Sequence, residues 1–564
     1  MDNIRFRAVP AKIEVNGQLP FELNLQDLTK WLNSLSRVKK MELCLALFKA
    51  LLAMGKTDPV EQMPELYNKV AEFLDGVLVE VEKELLNPGF PLDPEDQAII
   101  EVIVFAYVTL AENYAHLLTV PNLVNKASLD RAMQTYNALQ SADKALLLIL
   151  QVYKQAYPEF WLFCYRLFEE AKREGWLYQP LTVKTGKISS IGKIFSQLLL
   201  LQLSDTNQYR SREMRLIDKL YEELGFELSF EETVINDGSH WHCFDANKDA
   251  PPGLLKNKLV VDDGVYIFCL TPVAKKIYDY VHTDMPEQGA LKAINRSLYV
   301  RVVKTLGCFQ KRRHKRFDDK TDGTGILGFN NIVSFLYKTY ENHETKPKIA
   351  LNQSPEKKLK ASDLDLVPQG GEKVHQLQWQ YRHDEDTTLS KIVHFGKDFT
   401  SPGQVWDLGQ IENSKLVDKV PTNALKVIDT SLQGMQVFWK SNGLKVKHGD
   451  LFAAIQGNGR LEIGLIRRLS RLTQGGAVLG IELLGYETEL VKFFRPGHKS
   501  VQFWGLYLSG LPALKQNDSL IFNAPGFSAG ENIVIERGQK QLSCRLQKII
   551  NETPAVSHAE LQTK

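Results

Sequence analysis

The sequence has little of several features by which protein classes are recognised. Its six cysteines are scattered, without a CxxC pair or a dense framework, which is typical of a reducing compartment and excludes a disulfide-stabilised secreted domain. Its 69 basic and 67 acidic residues leave a net charge of +2, whereas a protein coated in nucleic acid normally carries a larger basic surplus. We therefore expect any contact with a polyanion to be local, and we do not expect nucleic acid as a partner.

Long apolar runs are also missing. The first 18 residues, MDNIRFRAVPAKIEVNGQ, contain no apolar core of the length of a signal peptide. The most apolar helical run, residues 98–118, is interrupted by Glu101 and Glu112 and falls short of the roughly 20 apolar residues that a membrane span requires. We therefore expect a cytoplasmic protein without a membrane span.

Recognisable catalytic and cofactor motifs are lacking as well. The sequence contains no G-x-S-x-G, no P-loop and no H-E-x-x-H. His240, His242 and Cys243 are zinc-ligand types, but no partner cluster completes a tetrahedral site. Residues 323–328 match G-x-G-x-x-G only literally, because the preceding RFDDKTD does not read as a buried strand. We expect neither an enzyme nor a bound metal or cofactor.

Hydrophobic periodicity divides the chain into regions of different character. Residues 24–225 repeat apolar side chains at three- and four-residue intervals, which predicts helices. Short alternating segments beyond Val405, separated by glycine and asparagine, predict a small antiparallel barrel. The predicted regions are a helical domain (1–225), a small α/β domain (226–310), a basic loop with the start of the barrel region (311–341), a polar linker or insertion (342–404), the barrel with extra strands (405–550) and a flexible tail (551–564).

Two short motifs in the second half carry recognisable ligand chemistry. Arg312 and Arg316 form R-x-x-x-R in the basic loop, and Asp429, Ser431 and Gly434 form D-x-S-x-x-G at the end of a predicted strand. Guanidinium groups bind phosphates bidentately and also pair with O6 and N7 of guanine. A carboxylate accepts from N1–H and the N2 amino group of guanine. The combination indicates a guanine nucleotide with more than one phosphate.

These motifs, followed by the strand-forming segments VIDTSLQGMQVFW, LEIGLIRRLSRL and AVLGIELLG, resemble the PilZ domain, the bacterial receptor for cyclic di-GMP. The resemblance implies that Arg312 and Arg316 clamp phosphates and guanine edges, that Asp429 and Ser431 fix the ligand from the barrel, and that Gly434 permits close approach. Arg313 lies between the two matched arginines and is an auxiliary candidate.

The chain is similar in particular to long PilZ proteins with a helical N-terminal half. The implied fold is an α+β multidomain protein, with an all-α N-terminal half, a small mixed α/β middle region and a C-terminal antiparallel PilZ-like β-barrel. The implied function is a non-enzymatic cyclic di-GMP receptor whose helical half contacts an unidentified protein partner, in pilus function, motility, surface attachment or biofilm control.

Two other functions fit the same residues. One is a protein-interaction scaffold with a PilZ-like barrel that no longer binds nucleotide. The other is a nucleic-acid-binding protein that uses the RRHKR cluster, residues 312–316, to contact phosphates.

Overall fold

The computed structural model describes most of the chain, and the chain divides into two compact units. The described residues are 18–84, 89–120, 128–183, 186–231, 241–255, 264–283, 296–307, 317–341, 420–431, 433–440, 443–456, 461–471, 476–485, 487–510, 516–524, 526–538, 540–553 and 556–563. One unit comprises Met1–Gly325, Asn423–Phe452 and Gly464–Leu484, and the other comprises Ile326–Thr422, Ala453–Ile463 and Gly485–Lys564.

The N-terminal region is a helical domain. Its helices are α1 (Leu25–Leu35), α2 (Lys40–Met54), α3 (Met63–Glu84), α4 (Pro94–Leu117), α5 (Ser128–Gln151), α6 (Phe160–Arg173), α7 (Ile191–Leu203) and α8 (Ser211–Leu224). A short hairpin, β1 (Leu181–Thr182) and β2 (Ile188–Ser189), separates α6 from α7, and a 3₁₀ turn at Thr206–Gln208 precedes α8.

Local sequence signals define several of these helices. Asn24 accepts a hydrogen bond from the backbone of Asp27 at 2.9 Å and caps α1, and Ser190 caps α7 by accepting from Lys193 at 3.1 Å. The helix α8 ends at Gly225, whose φ of 53° lies in the left-handed region that glycine adopts without steric cost. Among the described residues, α4 alone is long and apolar enough to cross a membrane, and most of it is buried inside the protein.

A small three-stranded sheet packs on the helical domain. It consists of β3 (Trp241–Asp245), β4 (Gly253–Leu254) and β5 (Val265–Cys269) in the order β4-β3-β5. Phe244 stacks on Tyr165 of α6, with ring centroids 4.5 Å apart. Asp249 accepts hydrogen bonds from the backbone of Glu159 and Trp161 at the start of α6, so this sheet also caps a helix of the domain. The helices α9 (Thr271–Thr283) and α10 (Arg296–Gly307) follow.

A seven-stranded sheet contains the predicted PilZ-like strands. Its members are β6 (Phe317–Asp318), β7 (Asp322–Leu327), β8 (Thr422–Ser431), β9 (Gly434–Trp439), β10 (Leu451–Gln456), β11 (Leu461–Arg471) and β12 (Ala477–Gly485). The strand order is β6-β8-β7-β10-β11-β12-β9, and an additional β8–β9 pairing closes this order on itself. Gly325 of the G-x-G-x-x-G tract lies inside β7, where a Cβ would come within 2.4 Å of the Trp439 ring. That glycine is therefore explained by packing.

The C-terminal region is a separate closed barrel. It consists of β13 (Thr488–Phe494), β14 (Phe503–Leu508), β15 (Ser519–Phe522), β16 (Asn532–Arg537), β17 (Lys540–Glu552) and β18 (Ser557–Thr563), in the order β13-β14-β15-β18-β17-β16. All of its pairings are antiparallel. The helix α11 (Phe329–Glu341) packs on β13 and β14, where Tyr337 meets Trp504 at 5.6 Å between ring centroids.

The predicted fold class is confirmed: a helical half is followed by a mixed middle region and a C-terminal antiparallel barrel. The predicted flexible tail at 551–564 is wrong, because Ser557–Thr563 form β18 and pair with both β15 and β17. The described strands of the predicted barrel with extra strands (405–550) belong to two β structures. The other domain bounds stay predictions.

Candidate functional site

The predicted ligand residues fall into two groups. Asp429 and Ser431 lie at the end of β8, and Gly434 begins β9. Arg312, Arg313 and Arg316 lie in residues 308–316, outside the residues that the structure describes. The described part of the site is therefore its sheet side.

The strand β6 brings the chain next to the D-x-S-x-x-G motif. Phe317 lies opposite Thr430, and Asp318 lies opposite Asp429, in an antiparallel pairing. The backbone N–H of Asp319 also donates to the carbonyl of Ile428 at 3.1 Å. Phe317 directly follows Arg316 in the sequence, so the basic segment is covalently joined to the strand that pairs with the motif strand.

A β-bulge in β8 turns the motif outward. Val427 pairs with Val437 of β9, but the next paired residue of β8 is Asp429, which lies opposite Gln436. Val427 and Val437 are fully buried. Strict alternation would direct Asp429 to the same interior side as Val427, and the extra residue Ile428 shifts it instead to the outer side, with Gln436. Bulges re-aim side chains in this way next to functional sites.

The turn between β8 and β9 is held closely against β12. The Ser431 hydroxyl donates to the Gly434 carbonyl at 3.0 Å, and the backbone N–H of Leu483 donates to the Gln433 carbonyl at 3.0 Å. A Cβ on Gly434 would lie 3.0 Å from the carbonyl oxygen of Ile481. Glycine suits position 434 because a Cβ there would make a contact with the neighbouring backbone tighter than is usual.

The outer face presents a row of positions across neighbouring strands. Asp318 lies opposite Asp429, Asp429 opposite Gln436, and Gln436 opposite Gly480 of β12. Paired residues on neighbouring strands share a face. Beyond Gly480, the stem of Arg468 crosses the position that a side chain would occupy, at 2.9 Å from an added Cβ. Because the strand order closes on itself, β11 with Arg468 lies three strands from β8 in either direction, on the side opposite Asp429.

Sequence reasoning missed Asp318 and Gln436 as members of the face that carries Asp429. Asp318 follows Arg316 by two positions, and Gln436 follows Gly434 by two. The period of two along a strand gave a usable signal for Gln436. The position of Asp318 depends on which strands are neighbours, and a single sequence does not state this.

The connection between β9 and β10 joins the sheet to the helical domain. Val446 and Phe90 exchange two backbone hydrogen bonds of 2.8 Å. Lys445 forms an ion pair with Asp93 at 2.6 Å. His448 lies at the carbonyl of Arg467, with 2.9 Å from Nε2 to the oxygen. Because a carbonyl only accepts, Nε2 carries the proton.

His448 is held neutral at this junction. Burial lowers its pKa to about 4; Glu213 opposes the shift, whereas Arg210, Arg467 and Arg301 add to it. An imidazole inserted beside three arginines therefore contributes a hydrogen bond without adding a further positive charge. The helical domain and the ligand-bearing strands meet at this histidine.

The described part of the site offers chemistry for binding. Among the described residues, no group of three or more His, Cys, Asp or Glu residues could hold a metal ion. His242 and Cys243 lie on β3, and His240 lies outside the described residues. An outward carboxylate and a neighbouring hydroxyl suit the donor edge of a guanine.

Comparison with protein families matches two parts of the chain to a receptor for cyclic di-GMP. One match, to the N-terminal domain of the cyclic-di-GMP receptor FimW, covers residues 26–233. A second, to the C-terminal β-barrel domain of FimW, covers residues 491–563. Over these two regions the chain is similar to the FimW family of PilZ-like cyclic-di-GMP receptors, which confirms the predicted resemblance. No curated protein and no solved structure matched the chain.

The two family matches coincide with structural boundaries. The first spans α1 through α8 and ends just beyond the helical domain, and the second spans most of the C-terminal barrel. The family thus comprises a helical N-terminal domain and a closed barrel at the C-terminus. The seven-stranded sheet that carries Asp429, Ser431 and Gly434 lies between these two matched regions.

Proposed function

We propose that this protein is a cyclic di-GMP receptor without enzymatic activity, which binds its ligand on the outer face of the seven-stranded sheet. Asp429 and Ser431 contact the ligand from β8, and Gly434 leaves room for it. Arg312 and Arg316 close over it from the basic loop, and Arg313 assists. The observation that carries this proposal is the β6–β8 register, in which the chain that directly follows the loop pairs with the motif strand.

The chemistry of the face supports a ligand with guanine donors. Asp318 and Asp429 are direct cross-strand neighbours, and like charges in that arrangement are destabilising. The N1–H and the N2 amino group of a guanine donate hydrogen bonds to a carboxylate and so relieve this repulsion. The positive charges of the loop arginines relieve it as well. Each bidentate contact between an arginine and a guanine contributes about 1–3 kcal/mol.

The output of the receptor is the helical domain. The arginines bind the ligand from the segment that connects α10 to β6, and the sheet itself is joined to the helical domain through Val446 and Phe90. Ligand binding therefore acts on both connections between the sheet and the helices. We propose that the helical domain contacts a protein partner in the cytoplasm, and that the controlled behaviour is pilus function, motility, surface attachment or biofilm formation.

Calorimetric titration of the purified full-length protein with cyclic di-GMP tests the receptor function. We expect saturable binding by the wild type and a loss of about 5- to 150-fold in affinity for Arg312→Ala and for Arg316→Ala. Asp429→Ala weakens binding, whereas Asp429→Asn retains part of it, because the family motif accepts either residue. Arg313→Ala is the matched control from the same loop and causes the smallest loss of the three arginine variants.

Each rival function gives a different result in the same experiment. No heat with wild-type protein, or equal heat with Arg312→Ala and Arg316→Ala, overturns the receptor and leaves an interaction scaffold. Binding to mixed-sequence nucleic acid that weakens steeply with salt, without preference for the cyclic dinucleotide, indicates a nucleic-acid-binding protein. Cyclic di-AMP is the specificity control, because adenine lacks the N1–H and N2 donors.

A further inference from the structure

Two aspartates are buried together in the core of the helical domain. Asp143 lies on α5 and is 5% exposed, and Asp218 lies on α8 and is 7% exposed. A buried carboxylate is normally paired with a cation, because an isolated charge loses its hydration in the core. In the described part of the chain, the hydrogen bonds of both aspartates come instead from a neutral side chain, the amide of Gln197 on α7, which is 8% exposed.

A single nitrogen of Gln197 binds both carboxylates. Its Nε2 donates to Oδ2 of Asp143 at 3.1 Å and to Oδ1 of Asp218 at 2.7 Å. Two oxygens bound to the same nitrogen lie within about 6 Å of each other. Two negative charges at that distance inside a core repel each other strongly, and carboxyl groups that share a site in this way retain a proton.

The second oxygen of Asp143 strengthens the case for a proton. Among the described residues, Oδ1 of Asp143 is buried without a hydrogen-bond partner. An ionised carboxylate with such an oxygen loses the hydrogen bonds that it makes to water in the unfolded chain. The neutral acid avoids most of this cost, and its O–H is a donor that a neighbouring carboxylate accepts.

The nearest cations are each bound to another carboxylate. Lys144 of α5 donates to the two oxygens of Asp75 at 2.6 and 2.7 Å, and Nη1 of Arg215 lies 2.8 Å from Oε1 of Glu82. The other titratable groups that face the pair are acidic or neutral, and they are Glu82 of α3, Tyr136 of α5, Cys164 of α6, and Tyr221 and Glu222 of α8.

The surroundings raise the pKa of both carboxyl groups. For Asp143, burial is the main cause and the charge of Asp218 the next, while Lys144 and Arg215 oppose the shift in its pKa. Burial also raises the pKa of Asp218, while the Gln197 amide and Arg215 oppose that shift. The folded protein therefore holds a proton that the unfolded chain gives up, so the free energy of unfolding falls as the pH rises.

We propose that Asp143, Asp218 and Gln197 form a proton-binding site, and that the retained proton makes the packing of α5, α7 and α8 dependent on pH. The contribution of the site is fully present below the ordinary pKa of an aspartic acid and is lost as the pH rises through the pKa of the folded pair. His448, which Glu213 of α8 faces, responds to pH in the opposite direction. The inference does not depend on binding of cyclic di-GMP.

The first test is urea denaturation of the full-length protein at several pH values, followed by its helical circular dichroism. Asp143→Asn has the shape of the neutral acid and no proton to lose. From about pH 5 upward, we expect the unfolding equilibrium constant of wild type to grow about tenfold per pH unit relative to this variant, until the folded pair loses its proton. Asp218→Asn should show the same trend.

Glu101→Gln is the matched control. Glu101 is a carboxylate of α4 in the same domain, and it forms an ion pair with Lys154 at 2.6 Å. Its replacement removes a negative charge from a paired position, so we expect a loss of stability instead of a gain that grows with pH.

Infrared spectroscopy gives a direct readout of the proton, because the C=O stretch of a neutral carboxyl group is distinct from that of a carboxylate. At about pH 6, ordinary aspartates and glutamates are ionised. We expect wild type to show one more neutral carboxyl group than Asp143→Asn at this pH, and Glu101→Gln to keep the wild-type signal.

The same stability dependence on pH in wild type, Asp143→Asn and Asp218→Asn overturns the proposal, and so does the lack of an additional neutral carboxyl group in wild type. A parallel gain in stability for Glu101→Gln also overturns it, since a general loss of negative charge then explains the effect. If Asp143→Asn does not fold, Asp218→Asn and the infrared titration of wild type still decide, because the latter needs no variant.

Discussion

The two β structures of the chain are made of similar strands and assembled differently. The seven-stranded sheet recruits β6 and β7 from before residues 342–419 and contains a bulge in β8. The C-terminal barrel uses consecutive strands from residues 488–563. Both close on themselves, but the first is assembled from two stretches of chain and the second from one.

The interior of the C-terminal barrel is filled by aromatic and aliphatic side chains. Four phenylalanines cluster there with ring centroids 5.2–5.7 Å apart: Phe493, Phe503, Phe522 and Phe527. Their neighbours, including Leu520 and Ile535, are fully buried. The difference is therefore one of assembly: the C-terminal barrel builds an aromatic core from consecutive strands, whereas the motif-bearing sheet is built from two stretches of chain.

The largest expected effect is a loss of stability that leaves the affinity for the ligand unchanged. Phe493→Ala removes the fully buried centre of the barrel cluster and should cost about 3–5 kcal/mol in unfolding free energy. Urea denaturation measures the loss, and calorimetry should give an unchanged affinity for cyclic di-GMP. Phe493→Leu is the milder companion variant that keeps the barrel folded. A fall in affinity parallel to stability in both variants would contradict the division of roles.

The second effect concerns the junction between the sheet and the helical domain. The pKa of His448 is about 4, below the ordinary value of 6.5, so the unfolded chain binds a proton more readily. Neutral His448 therefore contributes about 3 kcal/mol to the free energy of unfolding. This contribution is fully present above pH 6.5 and is lost as the pH falls towards 4. His448→Gln keeps an N–H donor and should flatten this part of the stability–pH profile. An unchanged slope between pH 6.5 and 4 would show that other groups cause it.

The third effect is weaker ligand binding, with a smaller loss of stability than in the two preceding cases. Gly434→Ala places a Cβ 3.0 Å from the Ile481 carbonyl and should cost about 1–2 kcal/mol while weakening cyclic di-GMP binding about tenfold through the displaced strand edge. Gly253→Ala is the control, since nothing lies within 4 Å of its added Cβ. Unaltered affinity in Gly434→Ala would argue against ligand approach at this turn.

The smallest expected effect distinguishes the role of the Ser431 hydroxyl in the turn from its role in ligand binding. Ser431→Ala removes the hydrogen bond to the Gly434 carbonyl and should cost about 0.5–1.5 kcal/mol of stability, in addition to any lost ligand contact. Ser431→Thr keeps the hydroxyl and should restore both. If threonine restores stability but not affinity, the added methyl group obstructs the ligand and the hydroxyl serves the turn alone.

The helical half and the strand positions of Asp429 and Ser431 could be predicted because they depend on local periodicity. The sequence also predicted the family correctly from short motifs. The pairing of Phe317 with Thr430 could not be predicted, since β6 is only two residues long and lies far from β8 in the chain. The bulge at Ile428 was equally invisible, because alternation alone assigns Asp429 to the same side as Val427.

The separation of the two β structures also depends on non-local information. Strands such as β12 and β13 have similar alternation, and only residues 486 and 487 lie between them. Nothing local indicates that β12 pairs with β9 while β13 pairs with β14 and β16. For the same reason the sequence predicts a flexible tail at 551–564, although Ser557–Thr563 pair with β15 and β17 in the barrel.

The recruitment of β6 and β7 has a topological consequence for the site. Because these strands precede residues 342–419 and β8 follows them, the seven-stranded sheet is assembled from two stretches of chain held together by strand pairing. The protein is thus a natural candidate for fragment complementation, in which a polypeptide ending near residue 341 and another beginning near residue 420 reassemble into one ligand-binding sheet.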